Sequence, residues 1–250
     1  MPLPKIKHPI YEVFLKSLNR KVKFRPFLVK EEKLLLMAKE GDDVNEIVKT
    51  IKQIISNCIL EEIDVDALPT FDIEMFFINL RIRSVSEAAE MVYTCSNVVP
   101  DAEAAGASKP WGPCEHKIDF LLDLKNVNYI EEPDHNPIIK LSDTVGMKFN
   151  YPTLNFDEQS LLDKFEDGGY RFVSQYLDYI YDSEEIHKKQ GNISEEELKE
   201  FFDGLTMDQV KAIRKFFETT PRVSLKQDVT CPKCQHLHHL DVEGLLNFFD

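Results

Sequence analysis

The sequence predicts an α+β fold, in which helices form the body and short strands form a smaller module. Two regions, one in the first third of the chain and one in its second half, space their apolar residues as amphipathic helices do. Two other regions, 91–124 and 223–242, are rich in strand-forming residues. Each of these β-rich regions contains two cysteines, separated by a turn.

The first 60 residues predict an extended arm, a strand and two helices. Three prolines keep the arm extended, and the alternation in K-V-K-F-R predicts a strand that Pro26 interrupts. A short helix is predicted over 31–40. A stronger helical period spans 44–59, with Asp43 as its N-terminal cap. Cys58 falls on the apolar face of that helix and is interpreted as a buried thiol.

The middle of the chain changes from helix to strand. A helix follows Pro69, with Thr70 or Asp72 as its cap, and its density of Phe, Ile and Leu places it in the core. The runs E-M-V-Y-T-C and H-K-I-D-F-L-L-D-L predict two strands. A loop rich in Ala, Pro and Gly lies between them, so that eighteen residues separate Cys95 from Cys114. Two more strand-like runs, P-I-I-K-L and V-G-M-K-F-N-Y, follow.

The second half predicts helices and then a second hairpin. Helices are expected over 156–166 and 170–181. S-E-E-E at 194–197 and T-M-D-Q at 206–209 are capping boxes, each opening an amphipathic helix. R-V-S-L-K-Q-D-V-T-C predicts a strand, C-P-K-C a tight turn, and H-L-H-H-L-D-V the returning strand. The run E-G-L-L-N-F-F closes the chain.

These elements divide the chain into four segments that we expect to form one interwoven domain. The segments are an N-terminal arm with helices (1–90), a β-rich segment with the first cysteine hairpin (91–150), a helical segment (151–221), and the second cysteine hairpin with a C-terminal helix (222–250).

Composition excludes several classes of protein. No apolar run approaches the roughly 18 residues of a membrane span, and the N-terminus lacks the apolar region of a signal peptide. A cytosolic location is therefore expected, where cysteines stay reduced and serve as metal ligands or buried thiols. The net charge of −14 argues against nucleic-acid binding, which usually requires a basic surface.

The charge is unevenly distributed. Residues 1–33 contain nine basic and three acidic side chains, which leaves a net charge of +6 there and −20 in the remainder. Such a basic strip can dock on an acidic partner, fold back on the acidic body, or simply be solvated surface.

The cysteines form the candidate site. Thiolates bind Zn²⁺ tetrahedrally, and a C-x-x-C turn supplies two of the four ligands. We predict that Cys95 and Cys114 supply the other two, which gives one structural zinc ion in a zinc-ribbon-like module. A mixed set is the rival interpretation, because His116 follows Cys114 by two residues and His236 follows Cys234 by two. A third possibility is that no metal binds.

No catalytic motif accompanies these cysteines. The zinc-deaminase signature needs H-x-E before P-C-x-x-C, and no H-x-E occurs in the chain. G-x-x-x-x-G-K-[ST], G-x-G-x-x-G, G-x-S-x-G and H-E-x-x-H are also absent. The sequence therefore predicts a protein that is not an enzyme. The pair Phe248-Phe249 is the strongest candidate for a partner contact among the Phe pairs.

An ordered series of motifs resembles a known family. The series comprises V-K-F-R-P-F-L-V-K-E-E-K-L-L-L, I-K-Q-I-I-S-N-C, L-P-T-F-D-I-E-M-F-F-I-N-L-R-I-R-S-V-S-E, S-E-E-E-L-K-E-F-F-D-G-L-T, F-F-E-T-T-P and T-C-P-K-C…G-L-L-N-F-F. Together these motifs resemble the baseplate hub and hub-assembly proteins of T-even-type contractile-tailed phages. The sequence departs from that pattern in the long insert after Cys95 and in Gln235, where a glycine is common.

The resemblance implies a phage protein that helps to build the central hub of the tail baseplate. It implies contacts with other hub or tail proteins, and a location in the host cytoplasm during assembly or in the virion. The resemblance supplies no catalytic residues. A zinc-ribbon adaptor without a place in the virion is the alternative function. The sequence leaves open the oligomeric state and the choice between a permanent hub subunit and a transient assembly factor.

Overall fold

The computed structural model describes residues 6–41, 43–100, 111–154, 170–189 and 193–244. These ranges contain six α-helices and thirteen β-strands. The strands form five small sheets, and every strand pairing is antiparallel. The predicted mixture of helices and small sheets is confirmed. None of the helices in these ranges has the length and hydrophobicity needed to cross a bilayer.

The N-terminal third contains one hairpin and three helices: β1 (Tyr11–Leu15), β2 (Arg20–Phe24), α1 (Val29–Glu40), α2 (Val44–Cys58) and α3 (Thr70–Ser84). The hairpin alternates in burial, because successive side chains of a strand point to opposite faces. Helix α2 buries one apolar face, as predicted, and Asp43 caps it by accepting the N–H of Asn45. Cys58 is fully buried, which confirms its interpretation as a core thiol.

The middle of the chain contributes seven strands: β3 (Ala88–Thr94), β4 (Val98–Pro100), β5 (Trp111–Pro113), β6 (Lys117–Asp123), β7 (Asn128–Ile130), β8 (Ile138–Lys140) and β9 (Gly146–Phe149). Strand β3 pairs with β6, and β4 with β5. The long insert predicted between Cys95 and Cys114 therefore begins and ends as a small hairpin of its own.

The second half adds three helices and four strands: α4 (Tyr170–Tyr176), β10 (Leu177–Tyr181), β11 (Ile186–Lys188), α5 (Glu195–Asp203), α6 (Met207–Glu218), β12 (Arg222–Thr230) and β13 (Leu237–Glu243). The two capping boxes are confirmed, with Ser194 and Thr206 accepting the N–H groups of Glu197 and Gln209. The helix predicted over 170–181 is too long. Its last five residues form β10 because this aromatic and β-branched run pairs between β9 and β11.

Three hydrophobic clusters lie behind these elements. The largest joins the β1–β2 hairpin, α2 and α3 to the start of β12. A second contains residues of β9, α4, β10, α5 and α6. The smallest surrounds the cysteines and includes Ile118 and Val229. Tyr151 packs against both of the larger clusters, so it lies at the joint between them.

The start of α3 differs from the prediction. Neither Thr70 nor Asp72 caps it, since the N-cap is Pro69 and makes no side-chain cap. The buried carboxylate of Asp72 instead accepts the backbone N–H groups of Lys16 and Ser17 in the β1–β2 turn, both at 2.9 Å, and the hydroxyl of Tyr129 at 2.7 Å. Asp72 therefore binds the hairpin and β7 to the core helix.

Five basic side chains of the strip at 1–33 form ion pairs with acidic side chains of the same protein. Ion pairs join Lys16 to Glu131, Arg20 to Glu61, Lys21 to Glu12, and both Arg25 and Lys30 to Glu31. The Glu31 side chain is fully buried, so its pairing with Arg25 at 3.0 Å compensates a charge removed from water. Of these pairs, those of Lys16 and Arg20 reach the acidic body, whereas those with Glu12 and Glu31 lie within the strip itself.

Several predictions fall outside the residues that the structure describes. They are the helix over 156–166, most of the closing run 243–249 with Phe248-Phe249, and the central part of the insert after Cys95, residues 101–110.

Candidate metal centre

The C-terminal cysteines lie in the tight turn between β12 and β13. The two strands pair from Ser224↔Glu243 up to Thr230↔Leu237, and the chain reverses immediately beyond them. Cys231 donates its N–H to the carbonyl of His236 at 2.9 Å and accepts that of Gln235 at 2.8 Å. These bonds close a compact turn that holds the sulfurs of Cys231 and Cys234 on one side.

The first cysteine pair has the same backbone hydrogen bonds. Cys95, after β3, donates its N–H to the carbonyl of His116 at 2.9 Å and accepts that of Glu115 at 3.1 Å. His116 and His236 each stand two residues after the second cysteine of their pair, so the two turns match bond for bond. The N–H of Cys114 also donates to the carbonyl of Asn97 at 2.8 Å. The residue that follows the insert therefore lies beside the residue that precedes it. The first turn is therefore a two-residue knuckle, Ser96-Asn97, with a hairpin inserted before its second cysteine.

The residue after each second cysteine adopts a left-handed backbone. Glu115 has φ 51° and Gln235 has φ 62°, and Asn19 is the third non-glycine residue with positive φ in the described ranges. A residue with a Cβ is strained there, which explains why glycine is common after such turns. Gln235 keeps the conformation without being glycine, and its side-chain amide donates to the carbonyl of Pro232 at 2.9 Å.

The four sulfurs form one cluster. All of them lie within 4.8 Å of one another, with Cys95 3.6 Å from Cys234 and Cys114 3.9 Å from Cys231. A tetrahedral zinc with Zn–S bonds of about 2.3 Å requires sulfur–sulfur distances of about 3.8 Å. The distances of 3.6 and 3.9 Å fit that requirement, and they are too long for a disulfide, whose sulfurs are about 2.05 Å apart. These residue types and distances suit one tetrahedral ion with soft ligands.

Hydrogen-bond donors surround the sulfurs. The backbone N–H of Asn97 donates to the sulfur of Cys95, the first cysteine of its turn. The backbone N–H of His236 donates to the sulfur of Cys234, the second cysteine of its turn. The side-chain amide of Asn97 also donates to Cys234 at 3.5 Å. The amide of His236 lowers the pKa of Cys234 to about 6, whereas burial raises the pKa of Cys95 to about 12. The donors therefore favour the thiolate form of Cys234, whereas burial disfavours the thiolate form of Cys95.

The histidines have different roles. Neither His116 nor His236 belongs to the sulfur cluster found among the described residues. His238 is buried, and its Nε2 lies 3.2 Å from the sulfur of Cys95. His239 points the other way along the strand, as predicted, and pairs with Asp228 on the surface. Sequence reasoning placed His238 near the site without a role, because its partner Cys95 is 143 residues away and only the pairing of the hairpins brings them together.

A metal held by all four sulfurs would have a closed coordination sphere. Four cysteine ligands would complete a tetrahedral sphere and leave no position for water or substrate. Three of the four side chains are buried and Cys234 is half-buried. The cluster joins the β3–β6 hairpin to the β12–β13 hairpin, which are far apart in sequence.

Fold and site together define a mixed helix-and-sheet protein whose two cysteine-bearing hairpins meet at a four-sulfur cluster. The chain belongs to the T4 bacteriophage base plate protein family, whose model matches residues 8–250. The resemblance inferred from the sequence motifs is thereby confirmed. No significant match was found among curated proteins or among solved structures.

Proposed function

We propose that this chain is a structural or assembly protein of the phage baseplate hub that acts through protein–protein contacts and is stabilised by one structural zinc ion. Cys95, Cys114, Cys231 and Cys234 are the ligands in this proposal. The observation that supports it is the approach of the four sulfurs, within 4.8 Å, on two turns with matching hydrogen bonds. Membership of a baseplate family supports the contacts with other tail proteins.

The bound zinc would supply two positive charges that neutralise thiolates and tie the two hairpins together. The chain's own residues prepare the site: the amides of Asn97 and His236 donate to thiolate sulfur, and the two turns fix the sulfur positions. The site joins Cys95 and Cys114 to Cys231 and Cys234, and the residues of the second hydrophobic cluster lie between these pairs in the sequence. We therefore expect the four sequence segments to behave as one interwoven domain. Limited proteolysis that released a stable fragment would contradict this expectation.

The zinc site is tested by elemental analysis and by chelation of the purified protein. We expect one zinc per chain, and a lower melting temperature after chelation, because metal binding is coupled to folding. Cys58 provides the matched control, since it is a buried cysteine outside the cluster. Cys95→Ser should lose the zinc and Cys58→Ala should retain it. A metal-free protein whose melting is unaffected by chelators would refute the site.

The ligand set is tested with cobalt. Co²⁺ in the site should give the absorption spectrum of a tetrahedral ion bound by four sulfurs, with no exchangeable water. A spectrum that requires a nitrogen ligand would instead support the mixed set with His116 or His236. An exchangeable water on the metal would reopen the possibility of catalysis, which we do not expect of this protein.

The role in the hub is tested on phage particles. Mass spectrometry of purified virions would detect the chain if it is a permanent hub subunit. If the chain is a transient assembly factor, it should be absent from virions but co-purify with tail proteins from the host cytoplasm during infection. Absence from both would refute the baseplate-hub proposal and leave the zinc-ribbon adaptor.

A further inference from the structure

His238 is a buried histidine whose ring meets the cysteine cluster. It lies on β13 opposite Val229 of β12, and only 7% of its surface is exposed. Its Nε2 lies 3.2 Å from the sulfur of Cys95, which belongs to the other cysteine turn. Buried polar groups require hydrogen-bond partners, and this sulfur is the partner that the described residues provide for Nε2. The contact therefore gives the ring a specific place in the site.

The geometry identifies a hydrogen bond rather than a fifth ligand atom. His238 lies outside the group of ligand atoms that are all within 4.8 Å of one another. Two ligands of one tetrahedral zinc, with bonds of about 2.0–2.1 Å to nitrogen and about 2.3 Å to sulfur, would stand about 3.5–3.6 Å apart. The observed distance of 3.2 Å is shorter. The ring therefore lies beside one ligand and not at the position of the metal.

The chemistry of a bound thiolate fixes the direction of this hydrogen bond. A thiol that coordinates a metal ion is deprotonated, so its sulfur can accept a hydrogen bond but cannot donate one. A neutral imidazole has one N–H and one bare nitrogen. A bare Nε2 would place its lone pair against the thiolate of Cys95, so the N–H belongs on Nε2. A metal bound at Cys95 thus selects one tautomer of His238.

A side chain of the first cysteine turn makes the reverse contact. The side-chain amide of Asn97 donates to the sulfur of Cys234, in the C-terminal turn, at 3.5 Å. His238 reaches in the other direction, from β13 to Cys95. The two accepting sulfurs are 3.6 Å apart, and each also accepts a backbone N–H within its own turn. Each hairpin thus contributes a side-chain donor to a sulfur of the other.

Such donors compensate charge in a site that water reaches poorly. Four thiolates around one dication leave a net negative charge, and three of the four cysteine side chains are buried. Hydrogen bonds to ionised acceptors are about twice as strong as those between neutral groups. Removing a residue that hydrogen-bonds to a metal ligand typically costs about 10–100-fold in metal affinity.

We infer that His238 is a positioning residue of the metal centre, whose Nε2–H donates to the thiolate of Cys95 as the amide of Asn97 donates to Cys234. This inference rests on the four-cysteine zinc site of the proposed function and assigns His238 a role outside the ligand set. Tyr93 of β3 orients the ring through an edge contact, with ring centroids 4.9 Å apart. Because neither hairpin by itself supplies both donors, metal retention depends on the docking of the two hairpins.

The spectrum of the Co²⁺-loaded protein separates a hydrogen-bond donor from a packing residue. His238→Phe removes the N–H but keeps an aromatic ring against Tyr93, whereas His238→Gln can return a side-chain N–H to the same sulfur. A hydrogen bond lowers the energy of the sulfur lone pairs. We therefore expect the sulfur-to-cobalt charge-transfer band to move to longer wavelength in His238→Phe and to stay near its original position in His238→Gln. An unmoved band in His238→Phe would overturn the inference.

Competition with a chelator measures the effect on zinc. We expect His238→Phe to bind zinc about 10–100-fold less tightly than the unmodified protein, and Asn97→Leu, which removes the reverse donor, to bind it less tightly as well. His239→Phe is the matched control, since His239 pairs with Asp228 on the surface and should change neither the affinity nor the cobalt band. Equal affinities of His238→Phe and the unmodified protein would contradict the role of His238.

Nitrogen-15 NMR of the unmodified, zinc-loaded protein tests the hydrogen bond without a substitution. The ring of His238 should carry its proton on Nε2. A proton on Nδ1 alone would overturn the inference and leave the zinc site intact. A nitrogen ligand to cobalt that disappears in His238→Phe would overturn it too, because His238 would then bind the metal. A protein that binds no metal would instead refute the zinc site itself, and this inference with it.

Discussion

Glu115 and Gln235 hold the same left-handed backbone conformation at matching positions of the two cysteine turns, with φ values of 51° and 62°. In each turn the N–H of this residue bonds to the carbonyl of the first cysteine, Cys95 or Cys231. The strain is thus a property of the knuckle itself and not of either side chain. Its recurrence indicates that both turns are built to aim two sulfurs at one point.

Glycine at position 235 should therefore stabilise the protein. Gln235→Gly relieves a left-handed conformation that costs a residue with a Cβ about 1–2 kcal/mol, and loses one exposed hydrogen bond to Pro232. We expect a net gain of about 1 kcal/mol in the free energy of unfolding, measured in denaturant with zinc present. Gln235→Ala is the control and should give no gain, because alanine retains the Cβ. Equal gains from the two variants would rule out backbone strain as the cause.

The inserted hairpin should be dispensable for metal binding. Deleting residues 98–113 joins Asn97 to Cys114 and leaves the sequence Cys95-Ser96-Asn97-Cys114, a C-x-x-C turn. Because the N–H of Cys114 already bonds to Asn97, the shortened turn needs little rearrangement. We expect one zinc per chain by elemental analysis, with some loss of stability because Val99 no longer packs on the cluster. Adding Cys114→Ser to the deletion should remove the zinc; a metal-free parent deletion would contradict the knuckle interpretation.

The carboxylate of Asp72 should be important for the N-terminal core. It is buried and accepts three hydrogen bonds, two from backbone amides and one from Tyr129. Asp72→Asn replaces one accepting oxygen with a donor that faces other donors, so we expect a loss of about 2–3 kcal/mol in the free energy of unfolding. Tyr129→Phe removes a hydroxyl that contacts Asp72 at 2.7 Å and the carbonyl of Phe14 at 3.2 Å, but leaves both backbone amides bonded to the carboxylate, and should cost less. If Asp72→Asn were no more destabilising than Tyr129→Phe, the carboxylate would not organise the β1–β2 turn.

Mild acid should loosen the joint between the two larger hydrophobic clusters. His135 stacks on Tyr151 and Phe216, and its ring nitrogens contact the hydroxyls of Thr219 at 2.9 Å and Tyr151 at 3.3 Å. Burial lowers the pKa of His135, with Lys16 acting in the same direction and the carboxylates of Glu131 and Asp134 opposing it.

The folded state therefore disfavours the protonated ring, and the unfolded chain binds more protons as pH falls below about 6.5. The contribution of His135 is complete above that pH and declines as pH falls towards its lowered folded pKa. Melting temperatures measured across this range should show a pH dependence that His135→Gln reduces. His8, which is exposed, provides the control, and His8→Gln should leave the dependence unchanged. An unaltered slope in His135→Gln would assign the effect to other groups.

Local features of the sequence predicted the elements that depend on neighbours along the chain. The capping boxes at Ser194 and Thr206 and the period of α2 form as predicted, because their hydrogen bonds and periodicities span a few residues. Residue type and turn spacing also predicted that the four cysteines form one candidate site. Soft thiolates on paired hairpins favour this assignment before any coordinates are considered.

Tertiary structure decided what depends on distant partners. Asp72 has the position of a helix cap in the sequence, yet it binds the turn at Lys16 because folding places that turn against α3. Residues 177–181 belong to a strand because β9 and β11 lie on either side of β10. His238 lies beside Cys95 because the two hairpins meet, although the residues are 143 positions apart in the sequence. Cys114 lies beside Asn97 because the long insert closes on itself. The sequence by itself thus determined which residues could form the site, and long-range pairing determined their geometry.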